Sequence, residues 1–163
     1  MIYGLIAAAL VALDQLVKYL VMTNIPPGEH VPFIPHVLDL TYVTNTGAAF
    51  SLFSEHTWIL ALVSLVMSAV LAVAVWKGLF KHPFGRLSLT LLLAGAFGNF
   101  IDRAFRGFVV DMFNVLFMRF AVFNVADICV VVGGIVAGLY YLFWMDKLEG
   151  RGEESHDDPE ADR

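Results

Sequence analysis

Four stretches of about twenty residues, broken by very few charges, constrain this chain more than anything else in it. They run over 2–21, 58–76, 87–104 and 125–144. At 1.5 Å per residue, roughly 20 apolar residues span the hydrocarbon core of a bilayer as a helix. Lipid offers backbone N–H and C=O groups no partner, so each such stretch must satisfy its own hydrogen bonds by being helical. With 59% hydrophobic and only 15% charged residues in 163, the polar complement is too small to coat a soluble domain. The expected fold is membrane α-helical, with four transmembrane helices. Trp58 and Trp76 bracket the second stretch and Trp144 ends the fourth, as amphipathic rings do at membrane interfaces.

Charge placement predicts the orientation. The connection between the second and third stretches carries Lys77, Lys81 and Arg86, whereas 22–57 holds no Lys or Arg. The positive-inside rule makes that short connection cytoplasmic, with both termini inside and the longer connections, 25–53 and 105–123, outside. Arg106 and Arg119 in the second outer connection weigh the other way. The first stretch lacks a basic leader and a small-x-small cleavage motif and contains Asp14 and Lys18, so it reads as a retained span. The formal charge of −5 resides in 146–163, where eight acids face Lys147, Arg151 and Arg163. That segment reads as an acidic, disordered cytoplasmic tail on a single membrane domain over 1–145. Cys129, the lone cysteine, sits in an apolar run as an inert core thiol. Gly134 and Gly138 form a small-xxx-small pair, read as intrachain helix packing, and a monomer is expected.

The outer stretch 25–53 is more than a linker. After the turn-rich "NIPPGEHVPFIPH", the run "VLDLTYVTN" sets Leu38, Leu40 and Tyr42 against Asp39, Thr41 and Thr44 in nearly strand period. A small extracytoplasmic β-cradle is expected there, with apolar residues suited to facing lipid. The loop over 105–123 is expected to lie on the same side.

Orientation then brings distant polar residues to one depth. Asn99, Asp102 and Arg103 fall in the last turns of an outward-running helix, and Asn124 and Asp127 in the first turn of an inward-running one. Asp111 lies in the loop between them, Asn45 and Gly47 stand shortly before the second span, and Asp14 and Lys18 lie in the outer half of the first. Structural explanations exist for several of these. Asn124 with Asp127 is a capping-box-like start. Asp14 and Lys18, at i and i+4, make a helix-face ion pair. Arg103 neutralises Asp102 or a lipid phosphate. None of these accounts for Asp111, in the apolar "VVDMF" with no cap to make and no base beside it.

Two carboxyl groups in different environments are the apparatus of aspartic hydrolysis. Repulsion and partial burial raise one of them, so the pair holds a single proton. The ionised member takes a proton from water while the protonated one donates to the scissile carbonyl oxygen, with no metal or cofactor. Other protease chemistries lack their residues. There is no His-Glu-x-x-His, the five histidines are scattered, no Gly-x-Ser-x-Gly is present, and Cys129 has no histidine at its depth.

In order along the chain, "DQLVKYL" (14–20), "NTGAAFS" (45–51), "GAFGNFIDR" (95–103), "VVDMF" (109–113) and "FNVADI" (123–128) together resemble the bacterial lipoprotein (type II) signal peptidases. The resemblance spans nearly everything before the acidic tail. Ala94 departs from it, standing where many members have glycine, and the two aspartates lie rather close in sequence. It implies that Asp111 and Asp127 are the catalytic pair, that Asn45, Gly47, Asn99, Arg103 and Asn124 line the site, and that Asp14 and Lys18 support its floor. It also implies a short external helix or loop between helices 3 and 4. The activity implied is removal of the signal peptide from diacylglyceryl-modified prolipoproteins, before the lipidated cysteine, at the outer face of the inner membrane. The partners implied are that substrate and membrane phospholipids, with no nucleic acid. Two other classes fit parts of the sequence: a small proton-relay transporter through the buried acids, and a non-catalytic lipoprotein-binding factor using the cradle.

Overall fold

In the computed structural model, which describes residues 1–47 and 57–145, every apolar stretch is a helix: α1 Ile2–Asn24, α2 Thr57–Lys77, α3 Pro83–Arg106 and α4 Val125–Tyr140, the last continued by a π-helical turn Tyr141–Met145. All four are long and apolar enough to cross a membrane. The acidic segment 146–163 and residues 48–56, which hold the end of "NTGAAFS" and part of the expected cradle, lie outside the described residues. The helices overrun the apolar stretches where local signals allow. Pro83 opens α3 behind His82, whose ring accepts from Phe84 N–H, and Gly107 stops it in the left-handed region at φ 78°.

Helix α3 is central and packs on α1, α2 and α4. Three missing side chains permit this, the first being that of Gly95, where a Cβ would overlap Ala126 O. A Cβ on Gly98 would sit 2.7 Å from Asp14 Oδ2, and one on Gly133 would sit 3.0 Å from Leu92 N. Gly134 and Gly138, expected to serve that purpose, do not: both are exposed, with nothing within 4 Å of an added Cβ. The reason is angular, since Gly133 rather than its neighbour faces α3 and successive helix positions point about 100° apart. Helix α2 buries only Ser68 and Leu71, leaving the rest of its apolar surface outward.

A three-stranded antiparallel sheet caps one end of the bundle, with β1 His30–Ile34, β2 Leu38–Asn45 and β3 Val109–Val115 in that order. The cradle is thus completed by residues read from sequence as loop. Strand β3 is buried on both faces from Val109 to Met112, so it lacks the alternation that marks a half-exposed strand. Val110 and Met112 are fully buried against Val21 and Ile25 at the end of α1, each contributing about 1.5–3 kcal/mol of burial. After β3 the connection to α4 is a loop rather than a helix. It returns so that Phe123 pairs with Phe113, its carbonyl accepting from Phe113 N–H at 2.8 Å.

Sheet and helices are tied by one buried ion cluster. Lys18 has no exposed surface, and its ammonium donates to Asp14 Oδ2 and Asp102 Oδ2, each at 2.9 Å, and to Asn99 Oδ1 at 3.1 Å. Asp102 also accepts from Gln15 Nε2 at 3.1 Å, from Arg106 Nη1 and from the β3 backbone at Val110 N–H, 3.1 Å. Asp14 reaches across to Ala126 N–H at 2.9 Å, satisfying a free donor in the first turn of α4. The expected pairing of Arg103 with Asp102 is not made. Neighbours on a helix point apart, whereas Arg106, four residues on, faces the acid.

Removing one member of such a cluster strands its partners' charge, at a cost of about 3–5 kcal/mol. Asp102→Ala is therefore expected to lower the melting temperature in detergent sharply, while Gly134→Ala changes it little. Equal melts for the two variants would contradict this account of the packing.

Candidate active site

Register delivers the first carboxylate. Between the pairs Leu40↔Phe113 and Val43↔Asp111, β2 carries one residue more than β3, a bulge that explains why the sequence alternation is only approximate. Beyond it Asn45 lies opposite Val109, on the face that presents Asp111 two residues away. Asn45 Nδ2 accordingly donates to Asp111 Oδ2 at 3.0 Å, while its Oδ1 accepts from Gly47 N–H at 3.0 Å.

The second carboxylate comes from a helix start. Asn124 is the N-cap of α4: its Oδ1 accepts from Asp127 N–H at 2.9 Å, and Asp127 Oδ2 accepts from Asn124 N–H at 3.2 Å. The capping box is therefore real, but it does not exhaust these residues. Asn124 Nδ2 donates to Asp111 Oδ1 at 2.6 Å and, at 3.3 Å, to Asn99 Oδ1. Asn99 Nδ2 donates to Asp127 Oδ1 at 2.8 Å. A carboxylate has about four acceptor sites, so each aspartate keeps lone pairs for a ligand. Asn99 also accepts from Lys18, joining the site to the ion cluster below it.

Asp111 and Asp127 line one cavity of about 480 Å³ with Asn45, Asn99 and Arg103. The remaining wall is apolar: Val109 of β3, Phe120 to Phe123 of the returning loop, and Ile128, Val130, Val131 and Val132 of α4. Arg103 Nη2 donates to Gly47 O at 3.1 Å and Nη1 to Asn99 O at 3.4 Å. Its buried Nε has no partner among the described residues. Burial pushes the Asp111 carboxyl up to about 6 from 3.8, the hydrogen bond from Asn45 opposing this and the charge of Asp127 adding to it.

All nine residues singled out from sequence belong to one connected network. Five line the cavity, Asn124 and Gly47 hold those that do, and Asp14 and Lys18 lie beneath. Asp102, expected at the same depth, belongs to it as well, whereas Gln15 and Arg106 were missed as part of it. The i,i+4 spacing of Asp102 and Arg106 was the available signal.

The family model described as signal peptidase (SPase) II matches residues 6–143. The chain belongs to the signal peptidase II family. Proteins named lipoprotein signal peptidase are similar to it over most of their length. That of Enterococcus faecalis (strain ATCC 700802 / V583) is 44% identical, covering 86% of this chain and 88% of the relative. That of Clostridioides difficile (strain 630) is 42% identical, covering 90% and 99%. Two solved structures, titled as a bacterial membrane enzyme by the in meso method, share the architecture at TM-score 0.79. The one at 2.3 Å resolution is 29% identical and covers 99% of this chain and 94% of the other. The one at 1.9 Å is 32% identical and covers 88% and 94%. Family membership and the four helices make this a multi-pass bacterial membrane protein.

The Asp111 carboxyl binds its proton more tightly in the folded chain than in the unfolded one. Its stabilising contribution is therefore complete below about pH 4 and lost as pH rises through about 6. At about 1.4 kcal/mol per unit, the loss is about 3 kcal/mol. Between pH 4 and 6.5 the melting temperature of the native chain in detergent should fall relative to that of Asp111→Asn, which has no such proton to lose. Parallel melting curves would contradict this.

Proposed function

We propose that this chain is an aspartic endopeptidase that removes the signal peptide from diacylglyceryl-modified prolipoproteins, cutting before the lipidated cysteine, with Asp111 and Asp127 as its catalytic pair. The observation that carries the reading is the convergence of the two carboxylates on one cavity, each fixed by different amide donors and each with lone pairs to spare. The family, and relatives named lipoprotein signal peptidase, support the substrate class.

Water enters between the carboxyl groups. Asp127 takes its proton as the oxygen attacks the scissile carbonyl carbon, and Asp111, which burial predisposes to hold the pair's proton, gives that proton to the carbonyl oxygen. The tetrahedral intermediate then collapses. The C–N bond breaks, the proton on Asp127 passes to the leaving nitrogen, and the hydroxyl returns its proton to Asp111, so the pair ends as it began. Arg103 and Asn45 orient the peptide, while Asn99, Asn124 and Gly47 hold the side chains that act. Asp14 and Lys18 form the floor.

The apolar wall of α4 suits a signal helix and acyl chains entering from lipid, where each buried methylene adds about 0.8 kcal/mol. The same reading places the sheet and cavity at the outer face of the bacterial inner membrane. Both termini and the basic connection at Lys77, Lys81 and Arg86 are then cytoplasmic, and residues 146–163 extend from a single membrane domain. The enzyme works as one chain among phospholipids, since one chain supplies every group of the site. A proton relay would spread acids along the membrane depth, whereas Asp14, Asp102, Asp111 and Asp127 form one network beside the sheet.

In proteoliposomes with a lipidated precursor, Asp111→Asn and Asp127→Asn should each reduce cleavage by about 10²–10⁴-fold or more, read by mass spectrometry, while the protein still folds. Full activity in either variant would refute the assignment. Arg103→Ala should lower kcat/KM with a melting temperature close to that of the native chain. An unaltered kcat/KM would remove Arg103 from the site.

A further inference from the structure

The buried cluster beneath the site holds two acids, Asp14 and Asp102, against a single fully buried base, Lys18. Alone it is one negative charge in excess. The second base is Arg106, in the last turn of α3 and only partly exposed at 26%, whose Nη1 is shared between Asp102 Oδ1 and Gln15 Oε1, the latter at 3.1 Å. Gln15 Nε2 in turn donates to Gly98 O at 3.2 Å and to both Asp14 and Asp102. Arg106 therefore fixes one oxygen of Asp102, leaving the other for Lys18 and for Val110 N–H, the residue immediately before Asp111.

We propose that Arg106 is a positioning residue for the Asp111 and Asp127 pair: its guanidinium neutralises the Asp14–Lys18–Asp102 cluster and, through Asp102, holds the β3 backbone that presents Asp111. The proposal rests on the catalytic reading of those two aspartates. The cluster reaches the pair by two routes, from Asp102 to Val110 N–H and from Lys18 through Asn99 to Asp127. The charged and polar groups around Asp111 are Asp127 and Asn124 at the start of α4, Lys18 of α1, Arg103 of α3 and Asn45 of β2. The positive charge of Lys18 holds the Asp111 carboxyl down. Removing Arg106 leaves a net negative charge beside that lysine, which makes the proton shared by the pair harder to lose.

The test is the pH dependence of kcat/KM for the full-length enzyme and a lipidated precursor in detergent. Arg106→Gln keeps a hydrogen-bond donor and removes the charge, and Arg106→Met is read the same way if the first variant does not fold. The alkaline limb, where the shared proton is lost, should move upward by about half a unit. Arg106→Lys should return it to the native position. A merely structural role would lower yield, melting temperature or rate without moving the limb. An unmoved or downward-moving limb in an active variant, or a lysine variant that does not restore it, overturns the proposal while leaving the catalytic assignment intact. Undiminished cleavage by Asp111→Asn in the same assay overturns the assignment and the proposal together.

Discussion

A lysine ammonium with no exposed surface is the interaction on which the rest depends. In a low-dielectric interior an unpaired cation is among the most costly things a fold can contain. Lys18 escapes that cost because Asp14, Asp102 and Asn99 take its donors. Those acceptors are committed elsewhere as well: Asp14 to the start of α4, Asp102 to β3 and Asn99 to Asp127. Satisfying one charge thereby fixes the relative positions of α1, α3, α4 and the sheet. Gly98 has no side chain where Asp14 must pass, which shows how closely the helices have to approach.

The same economy recurs at the cavity, where groups that close off secondary structure also shape the site. Asn124 satisfies one orphan donor of a helix start, Asp127 N–H, with its oxygen and holds Asp111 with its nitrogen. Asn45 closes a turn onto Gly47 with its oxygen and holds Asp111 with its nitrogen. An aspartate gripped on both oxygens by amides is oriented without being neutralised by a base. Burial outweighs the opposing hydrogen bonds from Asn45 and Asn124 and the charge of Lys18, and its carboxyl rises toward the range where acid and base chemistry near neutrality is feasible.

Much of this was legible in the chain, because lipid restricts secondary structure so severely. Four apolar stretches of sufficient length admit one interpretation, and their alternating direction brings Asn99 and Asp127 to one depth before any coordinates are known. The i,i+3 spacing of Asn124 and Asp127 and the i,i+4 spacing of Asp14 and Lys18 were equally plain. What stayed hidden depends on long-range pairing. Strand β3 has an apolar run without alternation, and its partner strand lies far earlier in the chain, with Asn45 opposite Val109 and Leu38 opposite Val115, so it reads as loop. The bulge in β2 that sets Asn45 beside Asp111 leaves only a break in alternation. Asp102 has a base beside it in sequence, Arg103, which masks its true partner Arg106, although helical spacing favours the residue four positions on. Gly134 and Gly138 matched a packing motif but faced outward, since a motif specifies a helix face without saying which neighbour it meets.

The central claim is that one oxygen from β3 and one from the mouth of α4 act together on a single bond. A crystal structure with a lipidated peptide whose scissile amide is replaced by a hydroxyethylene group tests it most directly. The hydroxyl should lie within about 2.6–3.2 Å of an oxygen of both Asp111 and Asp127. A bound inhibitor whose hydroxyl touches only one of them, or neither, would contradict the account.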